Sequence, residues 1–409
     1  MQLAELFSRA LSADDLIGFV AYDGSRSGPP DAEVTIEIRS PFALSHLASA
    51  PGELGLARAF VSGHIEVHGD LHRMFHLLGD LDLGKMDRGT KARLLGLLVQ
   101  RRLWWPVGPP PQEARPRGWR HSKGRDAQAI SHHYDVSNTF YEWVLGPSMA
   151  YTCAVYPTAE STLEQAQYAK HDLVARKLGL DEGMRLLDVG CGWGGMVMHA
   201  AEHYGVKALG VTLSRAQAEW AQKAIVERGL QDVAEVRFCD YRDLAETGFD
   251  AISSIGLTEH IGAGNLPSYF DSLYSKLRTG GRLLNHCITR PSDDHPFKAG
   301  GFISRYIFPD GELEGPGFLM SSMNRAGFEI RHSENLREHY AMTLDAWCAN
   351  LDEHWDEAVR EVGLPKARIW RLYLAGCQWG FDINNVQLHQ ILGVKLDGTS
   401  SHMPLRPTW

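Results

Sequence analysis

The sequence contains no Cys-x-x-Cys pair; its six cysteines stand apart at positions 153, 191, 239, 287, 348 and 377. That spacing excludes the common zinc and thioredoxin-type motifs. It also fits a reducing cytoplasm better than a disulfide framework. No apolar run approaches the ~18 residues of a membrane-crossing helix, so any membrane contact is expected to be peripheral. The opening MQLAELFSRALSADD lacks the basic start and small-residue cleavage site of a secretory leader. Positive charge is scarce overall: the formal net charge is −9 at pH 7, which argues against a nucleic-acid partner. There is neither an internal repeat nor a low-complexity tract.

What is present is enough chain for two cores, with 409 residues of which 44% are apolar. Residues 1–105 read as a smaller N-terminal α/β domain. VTIEIRS (34–40) alternates like a strand, and GELGLARAFVSGHIEVHG (52–69) mixes a short helix with a strand. Residues 106–120 read as a Pro/Arg-rich linker around PVGPPPQEARPRGW. From 101 to 125 the chain carries Arg101, Arg102, Arg115, Arg117, Arg120, Lys123 and Arg125 against one acid, Glu113, with Trp104, Trp105 and Trp119 among them. Two readings stand. Arginine with tryptophan suits an anionic membrane interface, and the same composition suits a solvated linker whose tryptophans pack on the next domain.

Residues 121–409 read as the large domain. RLLDVG (185–190), KALGVTL (207–213), AEVRFCD (234–240), FDAISSIG (249–256) and RLLNHCIT (282–289) are predicted strands. Between the first three lie helical stretches GMVMHAAEHYG (195–205) and SRAQAEWAQKAIVERGL (214–230), the second with Ser214 as N-cap. This alternation predicts an α/β fold, a doubly wound, Rossmann-like parallel sheet.

LLDVGCGWGG ends a strand and opens a helix, where Gly190, Gly192 and Gly194 let the backbone turn and approach a ligand. The spacing also satisfies G-x-G-x-x-G through Gly195, so a nicotinamide cofactor is an alternative. Against it, GVTLSRAQ after the second strand offers Thr212, Ser214 and Gln217 where a dinucleotide site wants an acid for the ribose. Asp188 inside the strand end, followed by the three glycines, points instead to S-adenosylmethionine.

Six segments then occur in one order: HHYDVSNTFYEWVLGPSMAYTCAVYP (132–157), LLDVGCGWGG (186–195), GVTLSRAQ (210–217), DYRD (240–243), SSIGLTEHIG (253–262) and FISRYIFPDGEL (302–313). Together they resemble the cyclopropane fatty acid synthase family, which includes the mycolic acid methyltransferases. The resemblance runs from about 121 to 395. The 1–105 module resembles the N-terminal extension of full-length bacterial cyclopropane synthases. The resemblance implies an S-adenosylmethionine-dependent methyltransferase. Tyr151 and Thr152 are then expected at the methionine part of the cofactor, with Gly190 and Gly192 beneath it. Thr212, Leu213, Ser214 and Gln217 are expected at the ribose, and Asp240 and Tyr241 at the adenine.

Methylating an alkene leaves a carbocation, so the enzyme must exclude water, stabilise positive charge and remove one proton. No lone lysine or histidine stands out as the base. The family holds a bicarbonate ion, and by resemblance its ligands map onto Cys153, Glu259, His286, Ile288 and Tyr340. His286, Tyr340 and the backbone near Cys153 and Ile288 can donate to such an ion, and Glu259 can accept from it. Taken singly, Cys153 and His286 read more readily as core residues, and Glu259-His260 could be a helix N-terminal pair; only the constellation in family order points to catalysis. His132 and His133 are expected near the cofactor cleft without a catalytic role. An acyl chain needs an apolar tunnel, for which GGFISRYIFPDG (300–311), AWCANLDEHW (346–355) and ARIWRLYLAGCQWGF (367–381) are candidates.

The expected activity is C-methylation of the double bond in unsaturated (oleoyl) phospholipid chains by a cytoplasmic enzyme, peripheral at the inner membrane face. Two other classes remain: a lipid-binding protein on an inactive methyltransferase fold, and an N- or O-methyltransferase for a small molecule. Segments 120–138, 253–262 and 340–356 look closest to an actinobacterial branch forming 10-methylene chains. That branch implies a flavin-dependent reductase partner that yields the 10-methyl (tuberculostearic) chain. A cyclopropane product is the alternative, and a homodimer is compatible with either.

Overall fold

This computed structural model describes residues 2–79 apart from 12 and 14, residues 107–119 apart from 115–117, residues 137–409 apart from 296–299, and the single positions 89, 92, 96 and 125. Arg101, Arg102, Trp104, Trp105, Arg115, Arg117, Arg120, Lys123, His132 and His133 lie outside the described residues. Of the basic stretch, Trp119 is 88% exposed, so its ring packs on no core. Arg125 is committed to an ion pair, holding both carboxylate oxygens of Asp310 at 2.6 and 2.7 Å.

The chain divides into two units, and the division does not follow the linear order. The first takes residues 1–115 together with 299–309 and 355–379; the second takes 116–298, 310–354 and 380–409. Most of two stretches read as tunnel candidates, 300–309 of 300–311 and 367–379 of 367–381, thus belongs to the first unit. Polar contacts inside that unit account for this. Glu113 is buried and receives two hydrogen bonds of 2.9 Å from Arg58. Ala114 N–H donates to the Arg305 carbonyl at 2.7 Å. Arg368 donates to the Phe60 carbonyl at 2.8 Å and pairs with Glu66.

The first unit's sheet has the order β2-β1-β3-β4, from β1 (Gly18–Ala21), β2 (Arg26–Ser27), β3 (Thr35–Ile38) and β4 (Ile65–His68). Helices α1 (Leu3–Ala10), α2 (Phe42–Ser49), α3 (Glu53–Val61) and α4 (Leu71–Leu78) accompany it. Helix α1 buries Leu3, Leu6 and Phe7, an i, i+3, i+4 stripe.

The second unit is built on a seven-stranded sheet flanked by helices. Helices α5 (Asn138–Leu145) and α6 (Leu163–Leu178) precede β5 (Arg185–Val189). Then come α7 (Gly195–Tyr204), β6 (Lys207–Thr212), α8 (Arg215–Glu227), β7 (Ala234–Phe238), β8 (Phe249–Ile255), α9 (Leu266–Lys276) and β9 (Leu277–Thr289). The end of the chain adds α10 (Pro316–Arg325), β10 (Glu329–Asn335), α11 (Arg337–Glu353), α12 (Trp355–Val362), α13 (Leu364–Asp382) and β11 (Gln387–Val394), of which α12 and most of α13 group with the first unit. Strands β5 and β6 are buried along all but their first residue, as sheets covered on both faces require. Helix α6 starts with a capping box between Thr162 and Gln165 and stops at Gly179 in the left-handed conformation.

The strand order is β10-β11-β9-β8-β5-β6-β7. The five strands from β9 to β7 pair in parallel, as predicted. The remaining edge departs from an all-parallel sheet: β11 enters antiparallel between β9 and β10. Its sequence, QLHQILGV, carries no turn signal that tells an antiparallel return from a further parallel strand. Among the described residues no helix is long and apolar enough to cross a membrane.

Candidate active site

Strand β5 has β6 on one side and β8 on the other, so the strand order reverses at it. A crevice beyond the carboxyl end of such a strand is the general ligand site of an open α/β sheet. A cavity of about 230 Å³ lies there. Gly190 and Gly192 sit at φ +77° and +54°, which only glycine adopts without strain. The N–H groups of Gly190 and Cys191 both donate to the Val211 carbonyl, tying the loop to β6. A Cβ on Gly192 would meet nothing within 4 Å, because it would point into the cavity. A Cβ on Gly194 would press on Ala221 and Val236 at 3.2 Å, so this glycine serves the packing of the loop.

Most of the predicted cofactor residues line the cavity: Tyr151, Thr152, Asp188, Gly190, Gly192, Thr212, Leu213, Gln217 and Tyr241. Gly194, Ser214 and Asp240 stand behind that wall. Ser214 caps α8 by accepting from Gln217 N–H. Asp240 accepts from Arg242 N–H at 2.9 Å and pairs with its guanidinium at 2.6 Å, which fixes the turn presenting Tyr241. Thr212 donates to the Gln217 side-chain carbonyl at 2.7 Å, so each sets the other's orientation on the wall.

Two buried charged groups, Asp188 and Lys170, stand on this wall. Asp188 accepts from Ser253 at 2.7 Å, and burial raises its carboxyl to about 6. Lys170 of α6 donates to Thr152 Oγ1 at 3.0 Å and lies 2.9 Å from His171 Nε2; burial lowers it to about 8. Burial and the adjacent Lys170 hold His171 well below its usual range, so its Nε2 accepts. A wall with one buried ammonium and one buried carboxyl matches the two charges of an amino-acid moiety. Lys170 and His171 are not apparent from the sequence, since AQYAKHDL reads as an ordinary amphipathic helix.

The five other predicted residues come from four separate stretches. Glu259 sits on a 3₁₀ turn, Thr258–His260, between Leu257 and His260, both of which line the cavity. Its Oε1 accepts from Ile288 N–H at 2.7 Å, so this backbone donor steers Glu259. Its Oε2 is buried without a hydrogen-bond partner among the described residues, and burial raises the carboxyl to about 7. His286 lies two residues earlier on β9, fully buried. Gln390 contacts its Nδ1 at 3.2 Å, while its Nε2 has no partner among the described residues. Burial first, then Lys170 and Lys177, hold this imidazole well below its ordinary range.

Cys153 and Tyr340 meet at one carbonyl. The Cys153 thiol, pushed up by burial and hence neutral, lies 3.7 Å from Leu336 O, which also accepts from Tyr340 N–H at 3.1 Å. Leu336 N–H in turn donates to Leu388 O, and Leu388 is paired with Ile288. The Tyr340 ring lies tilted against Phe381 at 4.5 Å and meets Trp347 edge-on at 6.1 Å. Trp347 continues to Tyr151 at 5.3 Å, Tyr151 to Tyr141 at 5.9 Å, and Tyr141 to Trp193 at 4.7 Å. Of these rings, only Tyr151 and Tyr340 were foreseen. Aromatic residues at helical spacing read as core, and only their arrangement shows a chain of ring contacts whose members Tyr151 and Trp193 line the cavity.

Known proteins resemble this chain in sequence and in fold. The family model described as mycolic acid cyclopropane synthetase matches residues 121–391. A probable fatty acid methyltransferase of Mycobacterium tuberculosis is 56% identical over 405 residues, spanning 96% of this chain and 94% of its own. A probable fatty acid methyltransferase of Pseudomonas putida is 40% identical over 370 residues, spanning 90% of this chain and 88% of its own. Among solved structures, the cyclopropane synthase MmaA2 from Mycobacterium tuberculosis superposes with a TM-score of 0.62 at 34% identity, covering 66% of this chain and 98% of that one. Mycolic acid cyclopropane synthase CmaA1, complexed with SAH and CTAB, gives 0.62 at 33% identity, covering 65% and 97%.

Proposed function

The chain belongs to the mycolic acid cyclopropane synthetase family, and from that footing we propose that it is an S-adenosylmethionine-dependent fatty acid methyltransferase that methylates the double bond of oleoyl phospholipid. The observation that carries the reading is two buried polar atoms with no partner among the described residues, Glu259 Oε2 and His286 Nε2, on a turn and a strand joined by the Glu259–Ile288 hydrogen bond. Leaving such groups unmet costs about 1–3 kcal/mol each, so the pair suits a small polar ligand. Bicarbonate fits, since its oxygens accept and its hydroxyl donates. An N- or O-methyltransferase has no need of this pair.

Bound in the cavity, S-adenosylmethionine supplies an electrophilic methyl group, and bicarbonate supplies a proton acceptor. Asp188 and Lys170 face the charged ends of the amino-acid part, and Thr212 and Gln217 face the ribose. The alkene's electron pair forms the new carbon–carbon bond as the sulfur–methyl bond breaks, leaving a cation on the neighbouring lipid carbon. The Tyr151 ring on the cavity wall offers its face to that charge, and the Trp347 and Tyr340 rings packed behind it help to exclude water. Glu259 accepts the ion's hydroxyl and so orients it, with His286, Tyr340 and the backbone near Cys153 holding the other oxygens. A hydride shift from the methyl-bearing carbon, then proton loss from the new methyl, gives a methylene branch. Proton loss without the shift closes a cyclopropane.

The methylene outcome is the one proposed, followed by reduction through a flavin-dependent partner. Deuteromethyl S-adenosylmethionine with oleoyl phospholipid, and deuterium NMR of the methyl esters, tests it. Vinylidene deuterium supports the proposal, cyclopropyl deuterium alone moves the product to the ring, and no lipid label refutes lipid methylation. Docking at an anionic membrane through the basic stretch is part of the same proposal. Neutralising Arg115, Arg117 and Arg120 is expected to weaken sedimentation with anionic vesicles, most at low salt; unchanged sedimentation leaves the stretch a linker.

A further inference from the structure

Three antiparallel strands place Glu334, Gln390 and His286 on one rung: Glu334 of β10 pairs with Gln390 of β11, which pairs with His286 of β9. Lys177 from α6 covers the rung. It is fully buried, pairs with Glu334, and donates to Gln390 Oε1 at 2.8 Å. An ammonium can only donate, so the Gln390 atom facing Lys177 must be the carbonyl oxygen. The Gln390 NH₂ group therefore faces His286, donating to Nδ1 at 3.2 Å. A ring nitrogen that accepts carries no proton, so in the neutral ring the proton resides on Nε2. That is the atom with no partner among the described residues. The charged and titratable groups acting on this ring are Lys170, Lys177 and His171, and none stabilises an imidazolium.

We infer that Lys177 and Gln390 are positioning residues that hold His286 as a neutral imidazole with its proton on Nε2, making it a fixed hydrogen-bond donor to the bound anion and removing it as a base. The inference rests on the proposed reaction at this site. It assigns a task to two polar residues that neither motif spacing nor the cofactor cavity explains. A lysine buried beside an amide is costly unless hydrogen-bonded, and here the ammonium sets the amide, the amide sets the tautomer, and the tautomer sets the donor. Outer partners that fix a histidine's tautomer in this way also orient its ring.

The test reads the tautomer directly, on full-length protein without cofactor, lipid or bicarbonate. Histidine is labelled with ¹⁵N, and the His286 signals are assigned by their loss in His286→Asn. The expected spectrum has a pyrrole-type Nε2 and a pyridine-type Nδ1, constant through neutral pH. Gln390→Glu keeps the shape and the contact with Lys177 but presents only acceptors, so the proton is expected to move to Nδ1. With S-adenosylmethionine and oleoyl phospholipid, kcat should then fall by roughly 10²–10³, the usual loss for one oxyanion donor, with cofactor affinity unchanged. If that variant fails to fold, the wild-type spectrum and Gln390→Met decide, the latter expected to show both tautomers. An Nδ1-protonated or cationic His286 in the wild type overturns the inference, as does full kcat in a variant whose tautomer has flipped. Failure of lipid methylation leaves the spectrum untouched, so the two readings fall separately.

Discussion

The cavity wall and the buried polar set beside it are made in opposite ways. Much of the wall is local: Asp188, Gly190, Gly192, Thr212, Leu213 and Gln217 come from thirty consecutive residues, numbers 188–217, spanning β5, α7, β6 and the start of α8. Its shape is set by backbone conformation, through the left-handed glycines and the tie to the Val211 carbonyl. The polar set is assembled from Lys177, Glu259, His286, Glu334, Tyr340 and Gln390, brought together by strand register and a crossing helix. The wall binds through space left open, and the set acts through Glu259 Oε2 and His286 Nε2, which have no partner among the described residues. Substitutions should therefore act differently: adding bulk should destroy the first, and removing one charge should disable the second without disturbing the fold.

The largest effect is expected at the wall. Gly192→Val fills the opening and is expected to abolish S-adenosylmethionine binding, measured by calorimetry on protein whose circular dichroism is unchanged. Unaltered affinity would remove the cavity as the cofactor site. In the polar set, Glu259→Gln should lower kcat by roughly 10²–10⁴, the range for general acid–base assistance, while cofactor affinity stays the same. The comparison sharpens with pH. Burial raises Glu259 to about 7, so wild-type kcat/KM should climb as pH rises through that value and the carboxylate forms. A carboxyl raised on folding favours the folded state at low pH and loses that contribution as pH passes its folded value. Thermal stability without ligands should accordingly decline as pH rises from about 4.5 to about 7 and level off above it, and less so in Glu259→Gln. A parallel decline in both proteins would place the titration elsewhere.

Lys170 tests the boundary between the two kinds of region, since it faces the local wall but comes from α6. Lys170→Met removes a charged hydrogen-bond donor, an interaction of about 1.5–3 kcal/mol, and is expected to weaken cofactor binding by roughly ten- to hundredfold. Equal loss of kcat at saturating cofactor would assign it to the chemistry. The smallest effect is expected at Ser214, which stands behind the wall. Ser214→Ala should cost about 1 kcal/mol of stability through the lost helix cap, read as a lower midpoint in urea, with cofactor affinity close to wild type. A large loss of affinity would bring Ser214 onto the wall.

Legibility followed the same division. The glycine loop, the Ser214 cap and the five parallel strands were readable because each is encoded within a few residues by φ preference, capping or apolar runs. The antiparallel entry of β11 was not, because QLHQILGV states that a strand forms but not which neighbour it joins. Glu259, His286 and Tyr340 were reachable through the family resemblance, and nothing in their own surroundings marks them. Lys170, Lys177 and Gln390 carried no signal, as polar residues on a helix or strand are normally solvated. Nor does linear order reveal that 299–309 and 355–379 group with the first 115 residues.

The sequence by itself determined the doubly wound sheet, the place of its ligand loop and the class of cofactor that loop suits, since these depend on short-range backbone preferences and apolar patterning. Only the tertiary structure decided which polar groups lose water, which stay unpaired, and which nitrogen of His286 carries the proton. Burial and hydrogen-bond direction are properties of residues brought together across strands, and a protonation state follows from the partner opposite.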